Sequence, residues 1–198
     1  MKLLAFSDLP RNLDAAASLV ERSNDFDLII AVGDFGVVHR GVAEVIDVLR
    51  AIERPTVLVP GNNETLDELR DACAGWDAAT VLHGSGVDID GVPFYGLGCG
   101  VPTTPWDWSF DLSEEEAAEM LVDCPEGAVL VSHSPPKDHV DASSDGTHLG
   151  SQSVLEAIRA KHPRLVVCGH IHESWGEEST EGRTQIRNLG PEGVMIEI

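Results

Sequence analysis

A chain of 198 residues with 42% hydrophobic content has the size of one domain, expected to run from residue 1 to residue 198, and enough apolar material for a single core. Its 34 acidic against 13 basic residues give a formal charge of −21, a field that repels polyanions and so argues against nucleic acid and anionic membranes as partners. No apolar run approaches the roughly 18 residues that span a bilayer, and the first residues enter a strand-like run without a signal-peptide pattern, so the expected compartment is the cytoplasm.

Lys2 to Phe6 is a short apolar run that stops at Ser7-Asp8, and Asn12 to Val20 carries apolar residues at helical spacing. The pattern repeats with Leu28 to Val32 ending at Gly33-Asp34, then Val42, Val45, Ile46 and Leu49 on one helical face. Pro55 to Val59 closes at Pro60-Gly61, and Leu66 and Leu69 mark a third helix. Alternating strands and helices predict a parallel sheet. From about Thr80 the pattern changes: Val81-Leu82, Val87 to Ile89 and Pro93 to Tyr95, separated by Gly84, Gly86 and Gly91, read as antiparallel strands of a second layer.

Gly96 to Ser113, rich in Gly, Pro and aromatics, reads as a long ordered loop over the site. Ser113 with Glu116 is a capping box that opens a helix to about Val122. Ala128 to Val131 is a buried strand ending at Ser132-His133, Ser151 to Ala160 a helix, Leu165 to Val167 a strand, and two or three strands close the chain after Glu173. The sum is an α/β fold: a two-layered sheet core flanked by helices. Cys73, Cys99, Cys124 and Cys168 show no metal-binding spacing and read as reduced, mostly buried thiols. The scarcity of lysine fits either a high-salt interior or an ordinary acidic protein.

The chemistry collects where the strands end. Asp8, Asp34, Asn62, His133 and the pair His170 and His172 each follow an apolar strand, and strand-end loops of α/β sheets converge in one crevice. Singly, Asp8 and Asp34 read as helix N-caps, Asn62 as a turn residue and the histidines as satisfied polar groups. Together, six metal-ligating side chains after successive strands describe a preassembled metal site. Gly33, Gly61 and Gly169 immediately precede three of them, where a missing Cβ lets the backbone approach a bound ion.

In Ser7-Asp8, Gly33-Asp34, Gly61-Asn62-Asn63-Glu64, Ser132-His133 and Gly169-His170-Ile171-His172, the chain resembles the calcineurin-like metallophosphoesterase superfamily, in particular its small prokaryotic phosphodiesterase-like members. The five blocks occur in order from residue 7 to 172. The resemblance implies an αββα sandwich of two mixed sheets holding two divalent ions, Mn first among Mn, Fe, Zn, Co and Ni. It also implies that Asp34 bridges them, with Asn62, His133 and His170 completing one site and Asp8 and His172 serving the other. Two such ions about 4 Å apart hold a phosphoryl group and generate hydroxide at neutral pH, so the implied activity is hydrolysis of small phosphate esters, more specifically diesters.

The chain departs from the family pattern at Pro10, where a histidine ligand is usual, so the ion near Asp8 is expected to be weak or absent. It departs again at Asn63, where a proton-donating histidine is common; asparagine donates a hydrogen bond but no proton. Arg11 is a candidate for pairing with a substrate phosphate, its plain alternative an exposed arginine of the first turn. His148 is a candidate for the missing acid or an exposed loop histidine. His39, His83, His139 and His162 read as structural or surface residues. Trp106, Trp108 and Phe110 wall the pocket, form a subunit contact in a homo-oligomer, or pack on their own domain. The rival to an enzyme is a scaffold of the same fold that has lost turnover and recruits protein partners, as the resembling retromer subunit does.

Overall fold

The computed structural model describes residues 1–198. The first third follows the expected order: β1 (Lys2–Phe6), α1 (Leu13–Ser23), β2 (Leu28–Val32), α2 (Val42–Leu49), β3 (Thr56–Val59) and α3 (Leu66–Cys73). β1, β2 and β3 pair in parallel, because each helix returns the chain across the sheet before the next strand starts. Every residue of β2 and β3 is buried, so these strands are almost unbroken apolar runs, as a sheet covered on both faces requires. Asn12 caps α1, its side chain accepting from the Ala15 amide at 3.0 Å, and α2 begins at Gly41. Asp8 and Asp34 are thus free of capping duty.

The expectation of antiparallel strands from Thr80 onward is met by β5 (Ser85–Ile89) and β6 (Val92–Leu97) and fails for Val81. Residues Ala79–Val81 form β4, parallel to β3 with Thr56 opposite Ala79. The physical reason is α3, which acts as one more crossover; the chain leaves the first sheet only after Leu82, whose side chain is buried between the sheets.

The remaining elements are α4 (Glu114–Leu121), β7 (Val129–Ser132), α5 (Gln152–Lys161), β8 (Leu165–Cys168), β9 (Glu178–Glu181), β10 (Thr184–Asn188) and β11 (Val194–Glu197). The Ser113–Glu116 capping box forms, and Ser151 caps α5. One sheet has the order β11-β1-β2-β3-β4 and the other β5-β6-β7-β8-β10-β9. Leu3, Ile30, Val57, Phe94, Val131 and Val167 belong to the apolar layer between them. A second layer joins the first sheet to α1, α2 and α3, and a third joins the other sheet to α4 and α5. The result is helix, sheet, sheet, helix, with strands of both parallel and antiparallel sense in each sheet. All four cysteines are buried free thiols, and no helix is long and apolar enough to cross a membrane.

Candidate metal centre

The six strand-end residues meet. Asp8, Asp34 and Asn62 leave β1, β2 and β3 of one sheet, while His133 leaves β7 and His170 and His172 follow β8 of the other. Asp8, Asp34 and His170 adopt positive φ, at 55°, 59° and 67°, a region uncommon for side-chain-bearing residues and concentrated at functional sites. A Cβ on Gly61 would lie 2.0 Å from Asp34 Oδ1, and one on Gly169 would lie 2.5 Å from Asp8 Oδ2. Each loop therefore passes against a carboxylate only because it has no side chain there.

Asp34, His133 and His170 form one group and Asp8, Asp34 and His172 another, with one ligand atom per residue lying within 4.8 Å of the others in its group. Asp34 is common to both. Asn62 joins the first group, its Oδ1 lying 3.4 Å from His133 Nε2 and 3.1 Å from His170 Nδ1. His133 Nδ1 sits 2.8 Å from the Val32 carbonyl, which can only accept, so Nδ1 carries the proton and Nε2 turns inward. There it meets Asp34 Oδ1 at 3.5 Å and Asn62 Oδ1 at 3.4 Å. A lone pair ringed by oxygen acceptors is satisfied by a cation, and mixed imidazole and carboxylate donors fit Mn, Fe, Zn, Co or Ni better than Ca.

Titration of the cluster follows from its crowding. Burial pushes the Asp34 carboxyl up, and Asp8 adds to the rise against the pull of His133. Burial also raises Asp8, but contacts with His172, His133 and Ser7 outweigh it and leave the carboxyl below its ordinary value. Burial, reinforced by His133, holds His170 down to about 3, making it a neutral ligand. For His133 burial is outweighed by Asp34 and Asp8, and its pKa rises, which expresses the same demand for positive charge beside these carboxylates.

Glu64, given no role in the sequence reading, holds two of the ligand loops together. It is fully buried; one oxygen accepts from the amides of Asp34 at 2.8 Å and Gly61 at 2.7 Å, the other from Phe35 at 3.1 Å and Gly36 at 3.3 Å. Burial, with Asp34 close by, pushes its pKa up to about 7. Its only sequence signal is its place at the end of the Gly61–Glu64 block. Trp175, also missed, donates from Nε1 to Asp8 Oδ2 at 3.1 Å and packs its ring 4.3 Å from that of His172. Ser7 Oγ donates to the same Asp8 oxygen at 2.5 Å, so Oδ1 is the oxygen left toward His172 Nε2, 3.6 Å away. Asn188 fixes the His170 loop by donating from Nδ2 to the carbonyls of Gly169 and Ile171.

The other candidate residues lie as follows. Pro10 is exposed and adds no donor to the Asp8 group. Asn63 lines the cavity beside the ligands; its Nδ2 donates to Asp34 Oδ2 at 2.8 Å, its amide N–H to Asp34 Oδ1 at 2.9 Å, and its Oδ1 accepts from Val38. Arg11 is exposed and its stem runs over Gly41 at the start of α2, away from the cavity lining, in keeping with the exposed-arginine alternative. His148 is half-exposed and sets Nδ1 2.6 Å from Oδ1 of the buried Asp141; its neighbour Leu149 lines the cavity. Trp106 and Trp108 line it too, whereas Phe110 packs on its own domain, 5.7 Å from the His83 ring.

Fold and site together define a helix–sheet–sheet–helix protein with a two-lobed cluster of nitrogen and oxygen donors built to take divalent metal. The calcineurin-like phosphoesterase superfamily domain matches residues 1–194, and the chain belongs to that superfamily. It is 32% identical over 125 residues to metallophosphoesterase domain-containing protein 1 of Homo sapiens, a match covering 60% of this chain and 35% of that one. The match spans between 28% and 62% of the length of the curated relatives. Among solved structures it superimposes on TT1561 of Thermus thermophilus with a TM-score of 0.75 at 19% identity, covering 96% and 90% of the two chains. A dimetal phosphatase from Danio rerio gives a TM-score of 0.64 at 15% identity, covering 96% and 88%; at these identities the likeness is one of fold.

Proposed function

We propose that this chain is a metal-dependent phosphodiesterase acting on small phosphate diesters, with Mn the best-fitting ion. One observation carries the reading: Asp34, shared by both ligand groups, faces a cavity of about 450 Å³ whose lining contains no lysine or arginine. Phosphate held there depends on metal charge, and the surrounding negative field, with Glu173 on the lining, favours a diester with one negative charge over a monoester with two.

Asp34, Asn62, His133 and His170 would hold one ion, and Asp8, Asp34 and His172 the other. When bound, such ions supply positive charge at the phosphoryl oxygens and lower the pKa of water. Asn63 clamps both oxygens of Asp34 and keeps one amide hydrogen for the cavity. His148, itself outside the cavity lining but next to Leu149 on it, is the residue we assign to leaving-group protonation. Its hydrogen bond to Asp141 raises its pKa, which favours the protonated form, and engages Nδ1, leaving Nε2 to donate.

The test compares hydrolysis of bis(p-nitrophenyl) phosphate and diphenyl phosphate in the presence of manganese. Rates should vanish with chelator and return with manganese, and His148→Gln should slow the phenol-releasing ester more than the nitrophenol-releasing one, by up to about 100-fold. Full manganese occupancy without turnover of either ester would overturn the proposal in favour of a protein-recruiting scaffold.

A further inference from the structure

The cavity lining combines two kinds of chemistry. Asp34, Asn62, His170 and His172 line it together with Pro102, Pro105, Trp106 and Trp108 of the 102–108 loop. The two indoles stack, with ring centroids 5.6 Å apart and planes 13° from parallel, and Trp106 is 52% exposed. An indole left this open beside a polar site, in a chain with a charge of −21, keeps flat apolar surface in contact with solvent in addition to its stack on Trp108.

The loop is tied to the ligand cluster. Asn62 Nδ2 donates to Ser109 Oγ at 2.8 Å, Ser109 Oγ donates to Asp111 Oδ1 at 2.7 Å, and Thr104 donates to Asp111 Oδ2 from both its amide and its hydroxyl at 2.7 Å. The Phe110 amide donates to the Asn62 carbonyl at 2.9 Å. A metal-ligating residue and the aromatic surface thus share one hydrogen-bonded frame, so the spacing between a phosphoryl group and a stacked ring is set before any ligand arrives.

From this juxtaposition we propose that Trp106 and Trp108 form a subsite for a planar aromatic group carried by the phosphate ester, selecting aromatic over aliphatic esters; the inference rests on the phosphoesterase reading above. A π-face accepts any flat ring without hydrogen-bond readout, so the subsite selects planarity and leaves ring identity open. Loss of one indole face costs about tenfold or more in affinity for such a ligand.

The experiment measures, by calorimetric titration of the manganese-loaded full chain, the affinities of phenyl phosphate, adenosine 5′-monophosphate, methyl phosphate and inorganic phosphate. Wild type should bind one or both aromatic phosphates at least about tenfold more tightly than methyl phosphate, and the better of the two tells whether the ring sits on the ester oxygen or beyond a sugar. In Trp106→Ala the aromatic-to-methyl ratio should fall toward one, and in Trp106→Phe, which keeps a planar face, most of it should remain. A ratio near one in wild type, or an undiminished ratio in Trp106→Ala, overturns the subsite while bound inorganic phosphate leaves the phosphoesterase reading standing. Absence of binding by all four probes overturns the subsite, whereas the phosphodiesterase reading, which disfavours dianionic monoesters, stands or falls separately on turnover of bis(p-nitrophenyl) phosphate.

Discussion

The Asp34–His133–His170 group and the Asp8–Asp34–His172 group share a carboxylate and differ in closure. The first has a fourth donor in Asn62 and a histidine with no exposed side-chain surface; its ligands are fixed by strand ends and by the Val32 and Glu64 contacts. The second has three donors, and His172 belongs to a single 3-10 turn with its side chain 51% exposed. Asp8 also commits one oxygen to Ser7 and Trp175. The fourth donor and preorganisation separate the two, since both otherwise mix carboxylate and imidazole.

The largest effect should come from the residue that denies the distinction. Asp34→Asn weakens both groups, and its cost in turnover should exceed the roughly 100-fold typical of outer partners, with metal content falling below one ion per chain by elemental analysis. Retention of two ions would separate Asp34 from both groups. The next test sharpens the contrast. In wild type, manganese titration should show two classes of site differing by about tenfold or more, with the weaker lost first on dialysis. His172→Ala should remove the weaker class and spare the tighter one, whereas His133→Ala should remove the tighter one. Equal loss in the two variants would mean that the groups do not bind independently.

Glu64 tests whether the closed group owes its geometry to the main chain. Glu64→Ala leaves four buried N–H groups without their acceptor, and unsatisfied buried donors cost about 1–3 kcal/mol each before relaxation and water entry. Denaturant unfolding should show a loss of about 3 kcal/mol or more. A smaller loss accompanied by unchanged manganese affinity would assign the loop geometry to the strands alone.

What the sequence made legible follows the same division. The ends of β1, β2, β3, β7 and β8 could be read because buried parallel strands are nearly unbroken apolar runs, and the first polar residue after each one marks the loop. The sheet joined by Ala79–Val81 could not be read, because a three-residue strand has no pattern of its own and α3 decides its partner. Glu64 and Trp175 stayed hidden because their partners are backbone amides and a carboxylate distant along the chain; a glutamate or tryptophan looks the same in sequence whether buried or exposed. Arg11 is a candidate in sequence because it follows Pro10 in the first block, where the resembling family usually has glycine. Asp8 and Arg11 both turn through positive φ, and the side chain ends over Gly41 instead.

The smallest effect concerns the aromatic loop. His39 Nδ1 lies 2.9 Å from Glu68 Oε2 and Nε2 lies 2.6 Å from the Trp108 carbonyl. Both partners only accept, so both are satisfied only when both ring nitrogens carry protons. The Glu68 hydrogen bond raises the His39 pKa in the fold, against the opposing pull of burial. A group raised on folding contributes stability that is fully present below its unfolded value of about 6.5 and is lost as pH climbs through the folded value. For a pair partly open to solvent the contribution is below about 1 kcal/mol. The difference in melting temperature between wild type and His39→Ala should therefore narrow as pH is raised from about 6.5 into the alkaline range. Taking the difference removes the titration of Glu64, which falls in the same range. A difference that stays constant across that range would show that His39 holds the loop through one hydrogen bond only, and that the aromatic surface keeps its place whatever the charge on the imidazole.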